Sequence, residues 1–135
     1  MSYDAFLTLL TQLAGQKKAR VVIQGSVIFI ETMPQNNRMT LSTKVFSSEN
    51  GFMPRKVREC ISSSGFLKWQ ERGAYLKLDS FDNSVTLIQE IESSTKYVPF
   101  KYLMSDFVEV ANEWKEILDD FAQRDHIPTR LGENP

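Results

Sequence analysis

Histidine and cysteine, the side chains that most often hold metals or carry acid–base and nucleophilic chemistry, occur once each in the 135 residues, as His126 and Cys60. A single cysteine excludes an internal disulfide and any multi-cysteine metal site. His126 falls in a polar stretch after the last apolar segment, where nothing would orient it as a general base. Cys60 lies on the inward side of a short helical pattern with no histidine near it in sequence, which reads as a buried, inert thiol. An excess of either charge is also missing: 16 basic and 17 acidic residues leave a net charge of −1 and a pI near 5.9. Such a balance gives no global attraction to nucleic acid or to an anionic membrane. No apolar run reaches membrane-spanning length, and residues 1–15 are amphipathic rather than signal-like, so the expected compartment is the cytosol.

Glycine patterns that cradle phosphates or dinucleotides are absent from the sequence. Ser62-Ser63-Ser64-Gly65 follows a helical pattern, not the strand that a nucleophile elbow requires. Glu113, Glu116, Asp119 and Asp120 share a helix face on which no histidine or further carboxylate converges, so they read as solvated charge. Lys17-Lys18-Ala19-Arg20 and Arg55-Lys56-Val57-Arg58 are short and lack the interleaved aromatics of single-strand nucleic-acid binders. These residues point to no enzyme, no cofactor, no metal and no small-molecule substrate. A binding or interaction protein remains, with a weak nucleic-acid-binding module built on the two basic clusters as one alternative.

What is present is an ordinary globular composition, 41% apolar and 24% charged. The length suits one domain, expected over residues 1–124 with a mobile polar tail at 125–135. Residues 2–14 predict a helix capped by Ser2 and closed by Gly15, with an apolar arc broader than the ~100° stripe that a core needs. The runs 21–23 and 27–30 flank Gly25-Ser26 as a hairpin, with residues 16–20 as a basic link before it. After a turn at Pro34-Gln35-Asn36-Asn37, Met39, Leu41, Thr43 and Val45 alternate with polar neighbours as in a half-buried strand. Asn50-Gly51 marks a loop, and Pro54 opens a second helix closed by Gly65. Arg55, Lys56 and Arg58 sit in its first turn, where the helix dipole prefers carboxylates. Residues 74–78 and 85–91 alternate around an Asp82-Asn83 turn, with 66–69 leading into the first of them. From Pro99 to about Arg124, Phe100, Leu103, Phe107, Val110, Ala111, Trp114, Ile117, Leu118 and Phe121 fall on one helical arc. The expected fold class is α+β, in the order α-β-β-β-α-β-β-α, with one twisted antiparallel sheet packed against helices.

This order, together with the segment GAYLKLDSFDNSVTLIQEI at residues 73–91, resembles the class I type III secretion chaperones, the Tir chaperone family. The likeness is carried by Gly73-Ala74-Tyr75-Leu76-Lys77-Leu78-Asp79, then Val85-Thr86-Leu87 and Ile91. Gly51-Phe52-Met53-Pro54 stands where that family often enters its second helix. The chain departs from the family in its near-neutral charge, its basic second helix and the Ser62–Ser64 run where an asparagine is common. YbjN-like regulatory interaction domains share the order of elements and form the other alternative. The resemblance implies a cytosolic homodimer that binds the N-terminal region of one or more secreted effectors and keeps it secretion-competent. It implies dimer contacts at Val57, Cys60, Ile61, Phe66, Leu67 and Trp69, and effector contacts among Leu7, Leu9, Leu13, Phe29, Leu41 and Val45. Binding would be non-catalytic, through apolar contacts and strand addition at a sheet edge, with no nucleic-acid, membrane or cofactor partner.

Overall fold

The computed structural model describes residues 1–48, 52–62, 73–79 and 81–126. The expected loop residues Asn50-Gly51, the helix stop at Gly65, the lead-in at 66–69 and the tail beyond His126 lie outside them.

Helix α1 (Tyr3–Gln16) is opened by Ser2, whose hydroxyl oxygen accepts the Ala5 amide at 3.1 Å. It ends at Lys17 rather than Gly15: Lys17 takes left-handed backbone (φ 62°) and its amide donates to the Leu13 carbonyl at 2.8 Å. The neighbouring strand helps hold a conformation that lysine rarely adopts, since the Thr32 amide donates to the Lys17 carbonyl at 2.9 Å. The residues expected as a basic link therefore belong largely to strand β1 (Lys18–Ile23). Strand β2 (Ser26–Met33) returns antiparallel with Ile23 opposite Ser26, so the turn is Gln24-Gly25, one residue earlier than the sequence predicts. Both turn residues have positive φ (51° and 80°), the signs of a type I′ turn. A 3-10 turn at Pro34–Asn36 and a left-handed Asn37 lead into β3 (Arg38–Ser47). Helix α2 (Arg55–Ser62), strands β4 (Ala74–Asp79) and β5 (Ser84–Glu92), and helix α3 (Tyr97–His126) complete the described elements.

The five strands form one antiparallel sheet in the order β1-β2-β3-β5-β4. The expected α+β class and element order are those observed. Strand alternation assigns one face to the core: Ile28 and Ile30, then Met39, Leu41 and Val45, then Leu76, Leu87 and Ile91 are buried. Helix α1 adds Phe6, Leu9 and Leu13 from one side. Helix α3 adds Phe100, Met104, Phe107, Val108, Ala111, Trp114 and Leu118, and packs on both β3 and α2. Being covered on two sides, α3 buries an arc that takes in Met104 and Val108 and leaves Ile117 at 37% exposure, a rotation from the expected stripe. Its helical backbone reaches His126, so the first two residues of the expected tail are helix. In the basic first turn of α2, Arg55 pairs with Glu59 at i,i+4, 3.7 Å away.

The β4–β5 turn is tied to β3. Asp82 accepts the Ser84 hydroxyl at 2.5 Å and the Lys44 ammonium at 3.0 Å. The Ser84 bond first, and Lys44 after it, hold the Asp82 carboxyl below its ordinary value of 3.8. A depressed carboxylate lends stability above its unfolded pKa and loses it as pH falls through the lower folded value. Asp82→Asn is therefore expected to flatten the fall of Tm below about pH 4 relative to wild type, in thermal melts across an acid series. Gly25→Ala should lower stability by about 1–2 kcal/mol in urea unfolding, because alanine is strained at positive φ.

Candidate functional site

Helix α1 carries two apolar stripes. Phe6, Leu9 and Leu13 face the core, while Tyr3, Leu7 and Leu10 form the adjoining flank, with Tyr3 at 55% and Leu7 at 42% exposure. The second stripe forms one wall of a groove of about 720 Å³, whose other wall is Ser93–Lys96 and the first turn of α3, Tyr97 to Pro99. The groove floor is built from rings. Tyr97 meets Tyr3 edge-on at 5.2 Å between centroids, and Phe6 lies 5.4 Å from Tyr97 and 5.1 Å from Phe100. The Tyr97 hydroxyl donates to the Met1 carbonyl at 2.9 Å, tying the chain start to the same corner. Leu10 also lines a second groove of about 290 Å³, between the end of α1 and the β2–β3 turn at Met33, Pro34 and Asn37. The two grooves thus meet along one helix at Leu10, giving a continuous, largely apolar strip.

The sheet offers a second surface. Its outer face, opposite the core, carries a row Arg20–Phe29–Ser42–Ile88–Tyr75 in cross-strand register, with Phe29 at 53% exposure. Strands β1 and β4 are the edges of the sheet among the described residues. Edge β1 carries exposed Lys18, Arg20 and Val22. Among the described residues no three His, Cys, Asp or Glu side chains group as metal ligands, and no helix is long and apolar enough to cross a membrane.

Of the residues expected to touch a partner, Leu7 and Phe29 are exposed. Leu9, Leu13, Leu41 and Val45 are corrected to core positions, with exposures of 5% or less. On α1 the inward and outward leucines differ only by rotation about the helix, and on β3 alternation points Leu41 and Val45 at the helices. Val57 is fully buried, with α2 packed on α3, whereas Cys60 and Ile61 are half-buried. Desolvation pushes the Cys60 thiol up, which keeps it protonated and unreactive. Phe66, Leu67 and Trp69 lie outside the described residues. The sequence gives residues 2–14 an apolar arc broader than a core needs but singles out neither Tyr3 nor Leu10 as a partner contact, and it assigns Val98 and Tyr97 no role. The signal was available in the α1 arc, which is too wide for a single buried face.

No family model matches the chain, and a search of curated proteins returned no match. Solved structures do match. A chain of the ExsC–ExsE complex superposes with a TM-score of 0.66 at 14% identity, covering 87% of this chain and 97% of that one. A chain of the HopA1–SchA chaperone–effector complex superposes with a TM-score of 0.60 at 17% identity, covering 82% and 93%. This is the class I type III secretion chaperone fold. The alternation of residues 73–91 that carried the resemblance is, in this chaperone fold, the β4–β5 hairpin at the β4 edge of the sheet.

Two adjacent α1 residues separate core from surface. Phe6→Ala should cost about 3–5 kcal/mol of stability. Leu7→Ser should stay within about 0.5 kcal/mol. Paired urea titrations of the two variants check both values.

Proposed function

We propose that the chain is a non-catalytic cytosolic chaperone for type III secretion that binds the N-terminal region of one or more secreted effectors and keeps it secretion-competent. The carrying observation is the outward apolar stripe of α1, Tyr3, Leu7 and Leu10, held open against Tyr97 and Val98 on a type III chaperone fold. With Phe6, Leu9 and Leu13 buried and Tyr3 packed on the Tyr97 ring, Leu7 and Leu10 still leave apolar surface in water. An unfolded client gains by covering it, since each leucine-sized side chain it buries there contributes about 1.5–3 kcal/mol. Phe29 and the β1 edge extend the surface to a segment bound in strand conformation.

The protein acts as a homodimer in this reading, with Cys60, Ile61, Phe66, Leu67 and Trp69 as contacts, whereas Val57, expected among them, is a core residue. Val57 serves from beneath, by fixing α2 on α3, and half-buried Cys60 and Ile61 offer direct contact area.

Light scattering on the purified chain should give a dimer, and co-expression with its secreted client should give a stable complex. A strict monomer that retains no client would overturn the reading. Leu7→Ser should weaken the complex by about tenfold or more while leaving the fold intact. Limited proteolysis of the complex should protect a short N-terminal stretch of the client. Protection of a compact folded partner domain would favour a YbjN-like regulatory role instead.

A further inference from the structure

The sheet is not paired along its whole length. The β2–β3 ladder runs from Met33↔Arg38 to Phe29↔Ser42 and stops there, although β2 continues back to Ser26 and β3 forward to Ser47. Ser26–Ile28 pair only with β1, and the far half of β3 pairs only with β5, where the register shifts between Lys44 and Phe46. The strands therefore diverge into a V. Its apex is closed by a side chain in place of a ladder bond, the Thr43 hydroxyl donating to the Val27 carbonyl at 2.7 Å.

The V holds a cleft of about 450 Å³ with three cations on its walls, Arg20, Lys44 and Lys115. Lys44 is neutralised by Asp82 at 3.0 Å. The other two are not: among the described residues no carboxylate lies within 4.0 Å of Arg20 or Lys115. Lys115 rises from α3 and is half-buried, and its ammonium donates to the hydroxyl of Ser26 at 3.0 Å. Ser26 is itself only 2% exposed. Asp119, one helical turn along on α3, is placed to pair with this lysine, yet Lys115 crosses to the sheet instead. A partly desolvated ammonium bonded to a neutral hydroxyl is electrostatically incomplete, and a carboxylate entering the cleft would supply the missing charge.

We propose that this cleft is a carboxylate-binding subsite, in which Lys115 and Arg20 take an Asp or Glu side chain of an extended polypeptide bound along the sheet. The assignment rests on the chaperone reading for the identity of that polypeptide, but not for its chemistry. Phe29 and Val27 form the apolar bank of the cleft, so the segment that fits alternates apolar and acidic residues. A nucleic-acid backbone fits less well, because the chain carries net charge −1 and Glu116 and Asp119 flank Lys115 on the same helix.

The test uses the full chain and a blocked pentapeptide, acetyl-Val-Asp-Val-Asp-Val-amide, against its Asn counterpart. In amide-resolved NMR titration the acidic peptide should shift residues 20, 26–29, 43–44 and 115, and bind about tenfold or more tightly than the Asn peptide. Lys115→Met should abolish that preference, Lys115→Arg should retain it, and the exposed Arg20→Gln should reduce it without disturbing the fold. Equal binding of the two peptides, shifts confined to other residues, or an undiminished preference in a folded Lys115→Met chain would overturn the proposal. Tighter binding of a ten-nucleotide oligothymidine in the same cleft would overturn it too. Peptide binding without capture of any secreted client would count against the chaperone reading alone. Client capture unaffected by Lys115→Met and Arg20→Gln would count against the subsite alone.

Discussion

Among the described residues the sheet is covered by helices on one face only, and the rest of the structure depends on that constraint. Met39, Leu41 and Val45 of β3 all point to the same side, and α1 and α3 spend their inner faces sealing it. Once that face is closed, what is left over is fixed: an outer sheet face, two strand edges and the backs of the helices. The outer face is polar enough to stay in water, with Arg38 and Glu90 3.7 Å apart across the β3–β5 ladder. It still carries the row from Phe29 to Tyr75, which a fold built only for stability would not need.

Helix α1 shows the same division at smaller scale. Phe6 and Leu7 are neighbours in sequence and opposites in environment, one packed among Tyr97 and Phe100, the other in the groove wall. The ring cluster fixes the distance between α1 and the start of α3, so the groove does not close by collapse of its own walls. Stability and binding thus draw on different residues of one helix.

Much of this is legible in the amino-acid sequence. The β3 alternation, the β4–β5 hairpin and the long final helix follow from period-two and period-3.6 patterns strong enough to survive tertiary context. Three things were not legible, each for a physical reason. The Gln24-Gly25 turn competes with Gly25-Ser26 because both place a glycine at a usable position, and only strand register decides between them. Lys18 and Arg20 read as a linker because charge hides a strand whose side chains face water on an edge. Of the α1 and β3 residues offered to a partner, Leu9, Leu13, Leu41 and Val45 are buried and only Leu7 is exposed, since apolar side chains of one chemistry differ only in which way they point.

The early end of the β2–β3 ladder could not have been anticipated from either strand alone. Residues 26–33 and 38–47 are long enough to pair throughout, and pairing throughout would bring Ser26–Ile28 against Thr43–Val45. A bulge near Lys44 and a lysine from α3 stand where the last rungs would form. Forgoing those rungs costs backbone hydrogen bonds, and the Thr43–Val27 bond recovers one acceptor. The exposed Lys18 and Arg20 discourage an indiscriminate neutral strand from adding to the β1 edge, since their charges would be left without partners. A strand that carries its own carboxylates meets the opposite balance at the same edge. Charge placed beside an open edge is therefore a filter, letting backbone pairing supply affinity while side chains decide which segment is held.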